Sequence, residues 1–435
     1  MLVIKPPPVL EGIIKPPGDK SISHRAAIIG ALASGTSYIE GFLESADTLS
    51  TLKCMKALGA EIEGPQEGRL VIKGQGLQGL REPEDVLDAG NAGTTMRLLL
   101  GVLAGQPFYS VITGDQSLRR RPMGRVTRPL QQMGAQVWGR QDGELPPLSL
   151  RGGRLKGIQY TLPVASAQVK SALLLAGLFA SGPTTVIEPI PSRDHTERML
   201  KAAGAPITRQ DNAITIEGAC RLCPLSLEVP GDISSAAFFL VAGCIHPRAR
   251  IQLLGVNLNP TRAGILEVLE KMGAEIKIKN IRESSGEEIG DLEVSSSALE
   301  GVEIGGSLIP RLIDEIPVLV VAASVARGRT VIRDAAELRV KESNRIDLLA
   351  LELNKMGAQV YPQPDGFIVE GSGGEPLKGA EVDSHGDHRL GMALAVASLV
   401  ARGESTILNS RCIGVSYPAF PRDLARLGVE VREGN

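Results

Sequence analysis

Aromatic side chains are scarce in this chain, at 3% of its 435 residues, with one tryptophan, Trp138. Few aromatics means few platforms on which nucleic-acid bases could stack. Nor is there an excess of either charge: 47 Lys and Arg against 49 Asp and Glu leave a formal net charge of −2. A nucleic-acid-binding protein would carry a basic surplus, so that class is set aside. Long apolar runs are missing too. The longest, Ile316 to Ala326, falls short of the ~20 residues a membrane span needs and contains Pro317 and Ser324. The opening MLVIKPPPVL lacks a basic stretch followed by an apolar one, so no signal peptide is expected. Five cysteines, at 54, 220, 223, 244 and 412, are few and odd in number, which suits a reducing cytoplasm. Cys220 and Cys223 form a lone CxxC pair without the further ligands a zinc site requires, and it is read as structural.

What is abundant is glycine, 50 residues, and hydrophobic residues, 43%. The length suits two domains of about 200 residues each. A short phrase recurs six times: KALGAEIE, QQMGAQVW, KAAGAPIT, EKMGAEIK, NKMGAQVY and ARLGVEVR. Its glycines, at 59, 134, 204, 273, 357 and 428, each predict a helix C-terminus, a left-handed cap and a short alternating strand. Between these phrases lie helices that are apolar nearly all round, such as SALLLAGLFA and LGMALAVASLVA, which predicts burial on every side. Each repeat is therefore expected to run buried helix, strand, amphipathic outer helix, and two further strands. Units of about 70 residues are too long and too few for a solenoid, so two halves of three repeats are expected, the first ending near Val229-Pro230-Gly231.

The predicted buried helices begin at Asp19-Lys20-Ser21, Asn91-Ala92-Gly93-Thr94, Ser166-Ala167-Gln168, Asp232-Ile233-Ser234, Asp314-Glu315 and Asp387-His388-Arg389. Asp, Asn, Ser and Thr there are ordinary N-caps. Capping does not account for Lys20, Arg25, Arg97 and Arg389, because a cation at a helix N-terminus opposes the dipole. Free backbone N–H groups with cations added form a site for an anion. Outer helices add more cations: Arg119, Arg120, Arg121, Arg125 and Arg128 in one, and Arg339, Lys341 and Arg345 in another. In these basic surroundings Asp314, Glu315 and Glu342 are either ion-pair partners or an acid and a base for proton transfer. The glycines of Gly74-Gln-Gly76-Leu-Gln-Gly79 match a dinucleotide fingerprint, but Pro83 and charged residues follow where a helix should start, so the segment is read as a turn.

The motifs GDKSISHRA (18–26), GNAGTTMR (90–97), RPMG (121–124), SAQVKSALLLAG (166–177), LIDEIPVL (312–319), LRVKESNR (338–345) and GDHRLGMA (386–393) resemble, in order along the whole chain, those of the 5-enolpyruvylshikimate-3-phosphate synthase family. The resemblance implies an α/β fold: a two-domain inside-out α/β barrel of six βαβαββ repeats, with helices buried and sheets outside. It implies a domain of residues 1–19 plus 231–435, a second of 20–230, and a site in the cleft between them. It also implies transfer of the enolpyruvyl group of phosphoenolpyruvate to the 5-hydroxyl of shikimate 3-phosphate, without metal or cofactor, by a monomer in the cytoplasm that binds neither nucleic acid nor membrane.

By the same resemblance, shikimate 3-phosphate is held by Lys20, Ser21, Arg25, Ser166, Ala167, Gln168, Ser192, Arg193, Asp314 and Lys341. Phosphoenolpyruvate is held by Lys20, Asn91, Gly93, Arg121, Gln168, Arg345 and Arg389. Asp314, Glu342 and Lys20 carry the protons. Enteric-type members have Asn where Glu337 stands and Lys where Val415 stands. RDHTE (193–197) and NPTR (259–262) resemble instead the class II branch, which implies reduced sensitivity to the family's inhibitor glyphosate. The rivals are the related UDP-N-acetylglucosamine enolpyruvyl transferases, which carry Asn after the early Lys where this chain has Ser21, and a non-catalytic anion-binding protein.

Overall fold

The computed structural model describes residues 1–434. The chain divides into two compact units: residues 18–229 with 283–287, and residues 1–17 with 230–282 and 288–435. Each unit has its own hydrophobic core.

Six inner helices supply most of both cores. Every residue from Ile22 to Leu32 is buried in the first, Lys20–Leu32, as is every residue from Ile233 to Cys244 in Ile233–Ile245. The same holds from Ile316 to Ser324 in Ile316–Val325 and throughout His388–Ser398. The all-round apolar character of these sequences leaves them no face to present to water. Close packing needs small residues where the helices meet. A Cβ on Gly101 of the Gly93–Ala104 helix would sit 2.9 Å from the Ala172 Cα of Ala167–Gly177. The six outer helices bury one face only. In Gly124–Gln132, Val126, Pro129 and Leu130 are buried while Arg125 and Arg128 are exposed. All six repeat glycines have positive φ, between +83° and +106°, ending each outer helix as its sequence predicts.

Each repeat contributes a four-stranded sheet with one fixed topology. In the second, Leu87–Asp88 runs parallel to Tyr109–Thr113, which pairs antiparallel with Leu145–Arg151, which pairs antiparallel with Gln136–Gly139. Three sheets are completed by segments far away in sequence. Ser226–Glu228 pairs with Ser34–Glu40 in the first repeat, and Leu10–Ile14 pairs with Ala249–Asn257 in the fourth. The sixth repeat departs from the expected pattern, because a single strand, Glu430–Glu433, follows its outer helix. Leu2–Lys5 supplies the other, seated between Ser405–Leu408 and Glu430–Glu433, with Val3 opposite both Thr406 and Arg432. The supposed dinucleotide glycines lie at the end of a strand with Gly76 at φ +83°, and no helix follows them before Gly93. Among the described residues no helix is long and apolar enough to cross a membrane.

Candidate active site

In the 18–229 unit the first inner helix opens at Lys20, capped by Asp19, whose Oδ1 accepts the Ile22 N–H at 2.9 Å. The Lys20 ammonium pairs with Asp47 of the outer helix Ala46–Ala57. Asp47 was not legible as a site residue, since an acid in a first turn is what any helix dipole favours. One turn along, Arg25 is 3% exposed, and all its nitrogens are engaged. Nε donates to Thr196 Oγ1 at 2.6 Å, Nη2 to Ser171 Oγ at 2.7 Å and Nη1 to the Ser21 carbonyl at 2.9 Å. Burial pulls Arg25 down to about 10, still protonated at neutral pH. Buried His24 is pushed to about 3, first by desolvation and then by Lys20, so it stays neutral. Its Nδ1 lies 2.6 Å from Thr51 Oγ1.

The second inner helix begins at Gly93, where Ala92 offers no side-chain cap. A Cβ on Gly93 would meet Arg97 Nη1 at 2.9 Å and Arg121 Nη1 at 3.5 Å, so two guanidinium groups lie over bare backbone at a helix start. Arg97 Nη1 donates to Gln168 Oε1 at 2.6 Å, and Gln168 Nε2 donates to Thr94 Oγ1 at 2.9 Å. Arg121 Nη2 donates to Asn91 Oδ1 at 2.8 Å, while Asn91 Nδ2 donates to Asp115 Oδ2 at 2.6 Å. Asn91 thus neither caps its helix nor has an idle amide end; it orients Arg121. Arg97, absent from the ligand-binding residues the resemblance implies, joins the cluster on geometry. Its signal was the cation at a helix start.

Ser166 caps the third inner helix, accepting the Val169 N–H at 3.4 Å, and Ala167 and Gln168 form its first turn. Ser192 lies differently from its expected role. It is 3% exposed, its hydroxyl and N–H both donate to Glu188 Oε1, and its carbonyl accepts from Lys170 Nζ at 3.3 Å. Ser192 is a clamp for the loop, and the half-buried Arg193 follows it. Lys170, wholly buried, also pairs with Glu188 at 2.8 Å and Glu197 at 2.7 Å.

In the other unit, the cluster centres on Arg345 at the start of the outer helix Arg345–Lys355, 1% exposed. Its Nε lies 2.8 Å from Asp387 Oδ2, its Nη2 2.5 Å from Glu342 Oε2 and its Nη1 3.6 Å from Asp314 Oδ1. Burial opposes the charge, but Asp387, Glu342 and Asp314 outweigh it and raise the Arg345 pKa above its ordinary value. Asp387 is held low: burial works against it, and Arg345 overcomes the burial. Lys341 Nζ stands 3.5 Å from Asp314 Oδ1. Asp387 also caps the His388–Ser398 helix, accepting the Arg389 N–H at 2.9 Å, and takes the Ser343 hydroxyl at 3.0 Å. Arg389 Nη1 lies 3.7 Å from Glu315 Oε1. Glu315 occupies a cap position without capping, because its carboxylate is drawn to Ser234, Arg262 and Arg389.

Each unit therefore brings expected site residues together near the starts of its inner and outer helices. Known proteins resemble this chain over nearly its full length. A family profile described as EPSP synthase (3-phosphoshikimate 1-carboxyvinyltransferase) matches residues 4–424. A 3-phosphoshikimate 1-carboxyvinyltransferase of Desulforamulus reducens is 56% identical over 429 residues, covering 99% of this chain and 100% of that one. One of Desulforudis audaxviator is 55% identical with the same coverage. An EPSP synthase structure from Acinetobacter baumannii superimposes with a TM-score of 0.89 at 45% identity, covering 99% of this chain and 100% of that one.

Proposed function

We propose, from the premise that the chain belongs to the EPSP synthase family, how its own residues share the family's reaction. The enzyme transfers the enolpyruvyl group of phosphoenolpyruvate to the 5-hydroxyl of shikimate 3-phosphate and releases phosphate. Both substrates carry a phosphate and a carboxylate, so converging cations are needed, and arginine suits them through paired hydrogen bonds. In this reading Lys20, Gly93, Arg121, Gln168, Arg345 and Arg389 hold phosphoenolpyruvate, with Asn91 acting through Arg121. Lys20, Ser21, Arg25, Ser166, Ala167, Gln168, Arg193, Asp314 and Lys341 hold shikimate 3-phosphate.

The observation that carries the chemistry is that Asp314 and Glu342 flank opposite nitrogens of one buried guanidinium, Arg345. A single rigid cation thereby fixes the spacing of two carboxylates, which is what an acid and a base on neighbouring atoms require. Asp314 takes the proton of the 5-hydroxyl as that oxygen bonds to the carbon bearing the phosphate ester. Glu342 delivers a proton to the methylene, making it a methyl group and giving a tetrahedral adduct. Elimination returns a proton from that methyl and expels phosphate toward the arginines and Lys20, which serves either step. The assignment extends to a monomer in the cytoplasm.

Phosphate release measured with both substrates, with each alone, and with UDP-N-acetylglucosamine as acceptor tests the reading. Release is expected only with phosphoenolpyruvate and shikimate 3-phosphate together. Release with the nucleotide sugar instead would overturn it.

A further inference from the structure

Glu315 has no part in the chemistry above, yet it is wholly buried at the start of the Ile316–Val325 helix. A buried carboxylate is costly unless paired and hydrogen-bonded. Its Oε1 accepts the Ser234 hydroxyl and lies 3.4 Å from Arg262 Nη1 and 3.7 Å from Arg389 Nη1. Its Oε2 is buried and accepts no hydrogen bond. Arg262, 1% exposed, is the tightly held partner: its Nη2 reaches Asp232 Oδ1 at 3.1 Å and Ser234 Oγ at 2.5 Å. Asp232 in turn caps Ile233–Ile245 through the Ser234 N–H at 2.8 Å. One carboxylate thus links residues at the starts of three inner helices.

Arg389 is the loosely held member. Among the described residues its guanidinium makes this one ion pair and no hydrogen bond. At 3.7 Å charge attraction persists, but no N–H is committed to an acceptor. Arg345 shows the alternative, with Nε and Nη2 both spent on carboxylates. A guanidinium gripped in that way has Nη1 alone left for a new anion, whereas one held by charge alone keeps all its donors for the ligand. The shared carboxylate explains how both conditions are met. Arg262 and Ser234 absorb the hydrogen bonding at Oε1, and the remaining charge restrains Arg389.

We infer that Glu315 is a positioning residue that aims Arg389 at the phosphoenolpyruvate anion, with Arg262 offsetting its charge. The inference rests on the assignment of Arg389 to phosphoenolpyruvate made above.

Steady-state kinetics in both substrates, beside thermal unfolding, test it in four variants: Glu315→Gln, Glu315→Asp, Arg389→Met, and the double variant Glu315→Leu with Arg262→Met. The double variant removes both members of the Glu315–Arg262 pair, so it remains informative where Glu315→Gln strips Arg262 of one of its carboxylate partners and unfolds. In Glu315→Gln and in the double variant, the KM for phosphoenolpyruvate is expected to rise about tenfold, the equivalent of about 1.4 kcal/mol. The KM for shikimate 3-phosphate and kcat should stay within about twofold of the unsubstituted enzyme, and Glu315→Asp should recover part of the loss. An unchanged KM for phosphoenolpyruvate in either folded variant overturns the tether, as does an equal rise in both KM values. Arg389→Met separates the two readings. If it leaves the KM for phosphoenolpyruvate unchanged, the assignment of Arg389 falls and the tether with it. If it raises that KM while the Glu315 variants do not, the tether alone falls.

Discussion

The two units hold their buried and half-buried cations in contrasting ways. Within the 18–229 unit three arginines donate to neutral acceptors, Arg25 to Thr196, Ser171 and a carbonyl, Arg97 to Gln168, and Arg121 to Asn91, while Lys20 pairs with Asp47. In the other unit the arginines rest on carboxylates: Arg345 on Asp387, Glu342 and Asp314, and Arg262 on Asp232 and Glu315. A neutral acceptor orients a guanidinium without cancelling its charge, so the charge stays available to an anion. A carboxylate cancels much of the charge and in return stabilises the buried group and introduces acids and bases. The first arrangement suits anion capture; the second suits proton transfer on a rigid frame.

Substitutions can break this contrast. The largest effect is expected from Arg345→Met, which leaves Asp387 and Glu342 without their buried counter-charge. A loss of about 3–5 kcal/mol of stability is expected, read by denaturant or thermal unfolding. A loss below about 1 kcal/mol would mean that the carboxylate frame is not structural. Next come Asp314→Asn and Glu342→Gln, each expected to fold normally and to lose turnover by at least ~10²-fold, as removal of a general acid or base does. Near-normal kcat in either removes that residue from proton transfer.

Arg121→Met probes the neutral cradle. It should weaken phosphoenolpyruvate binding by about 10- to 150-fold, the worth of a charge-assisted hydrogen bond of roughly 1.5–3 kcal/mol, while costing little stability. Unfolding comparable to that of Arg345→Met would erase the contrast.

The smallest expected effect is in the acid response. His24 has its pKa lowered to about 3, so the unfolded chain binds a proton that the folded chain refuses from about pH 6.5 downward. Its contribution to the 18–229 unit is therefore lost as pH falls through that window. Glu197 in the same unit has a raised pKa, chiefly from burial, and works in the opposite sense. Asp387 in the other unit is depressed, so its contribution is present above the ordinary carboxylate range and lost only as pH falls below it. Unfolding midpoints between pH 7 and 5 should decline, and His24→Asn should flatten that decline. An unchanged slope in the variant would assign the acid sensitivity elsewhere.

Some parts of the site were legible from residue types alone. Lys20, Arg25, Arg97 and Arg389 stood out because helix capping and the helix dipole gave no reason for a cation there. Others were hidden by an ordinary local explanation. Asp47 passes for a dipole complement in the first turn of an outer helix, and Glu315 for a cap. Ser192 and Asn91 were expected to touch ligand, but the first is engaged by Glu188 and Lys170, and the second holds Arg121 between itself and Asp115. Which acceptor a polar side chain finds is a matter of what other segments bring near it.

The same division runs through the fold. The six helix-ending glycines, the buried helices and the Asp caps at Asp19, Asp232 and Asp387 were determined by the sequence itself, because each depends on residues within about one helical turn or on the apolar periodicity of one segment. Only the tertiary structure decided that Leu2–Lys5 completes the sixth sheet, that Leu10–Ile14 completes the fourth, and that Ser226–Glu228 returns to the first. It likewise decided that Glu315 answers to both Arg262 and Arg389. Those pairings join segments from tens to hundreds of residues apart. Their selection rests on the entropy of closing long loops against the burial gained, a balance that no local run of residues records.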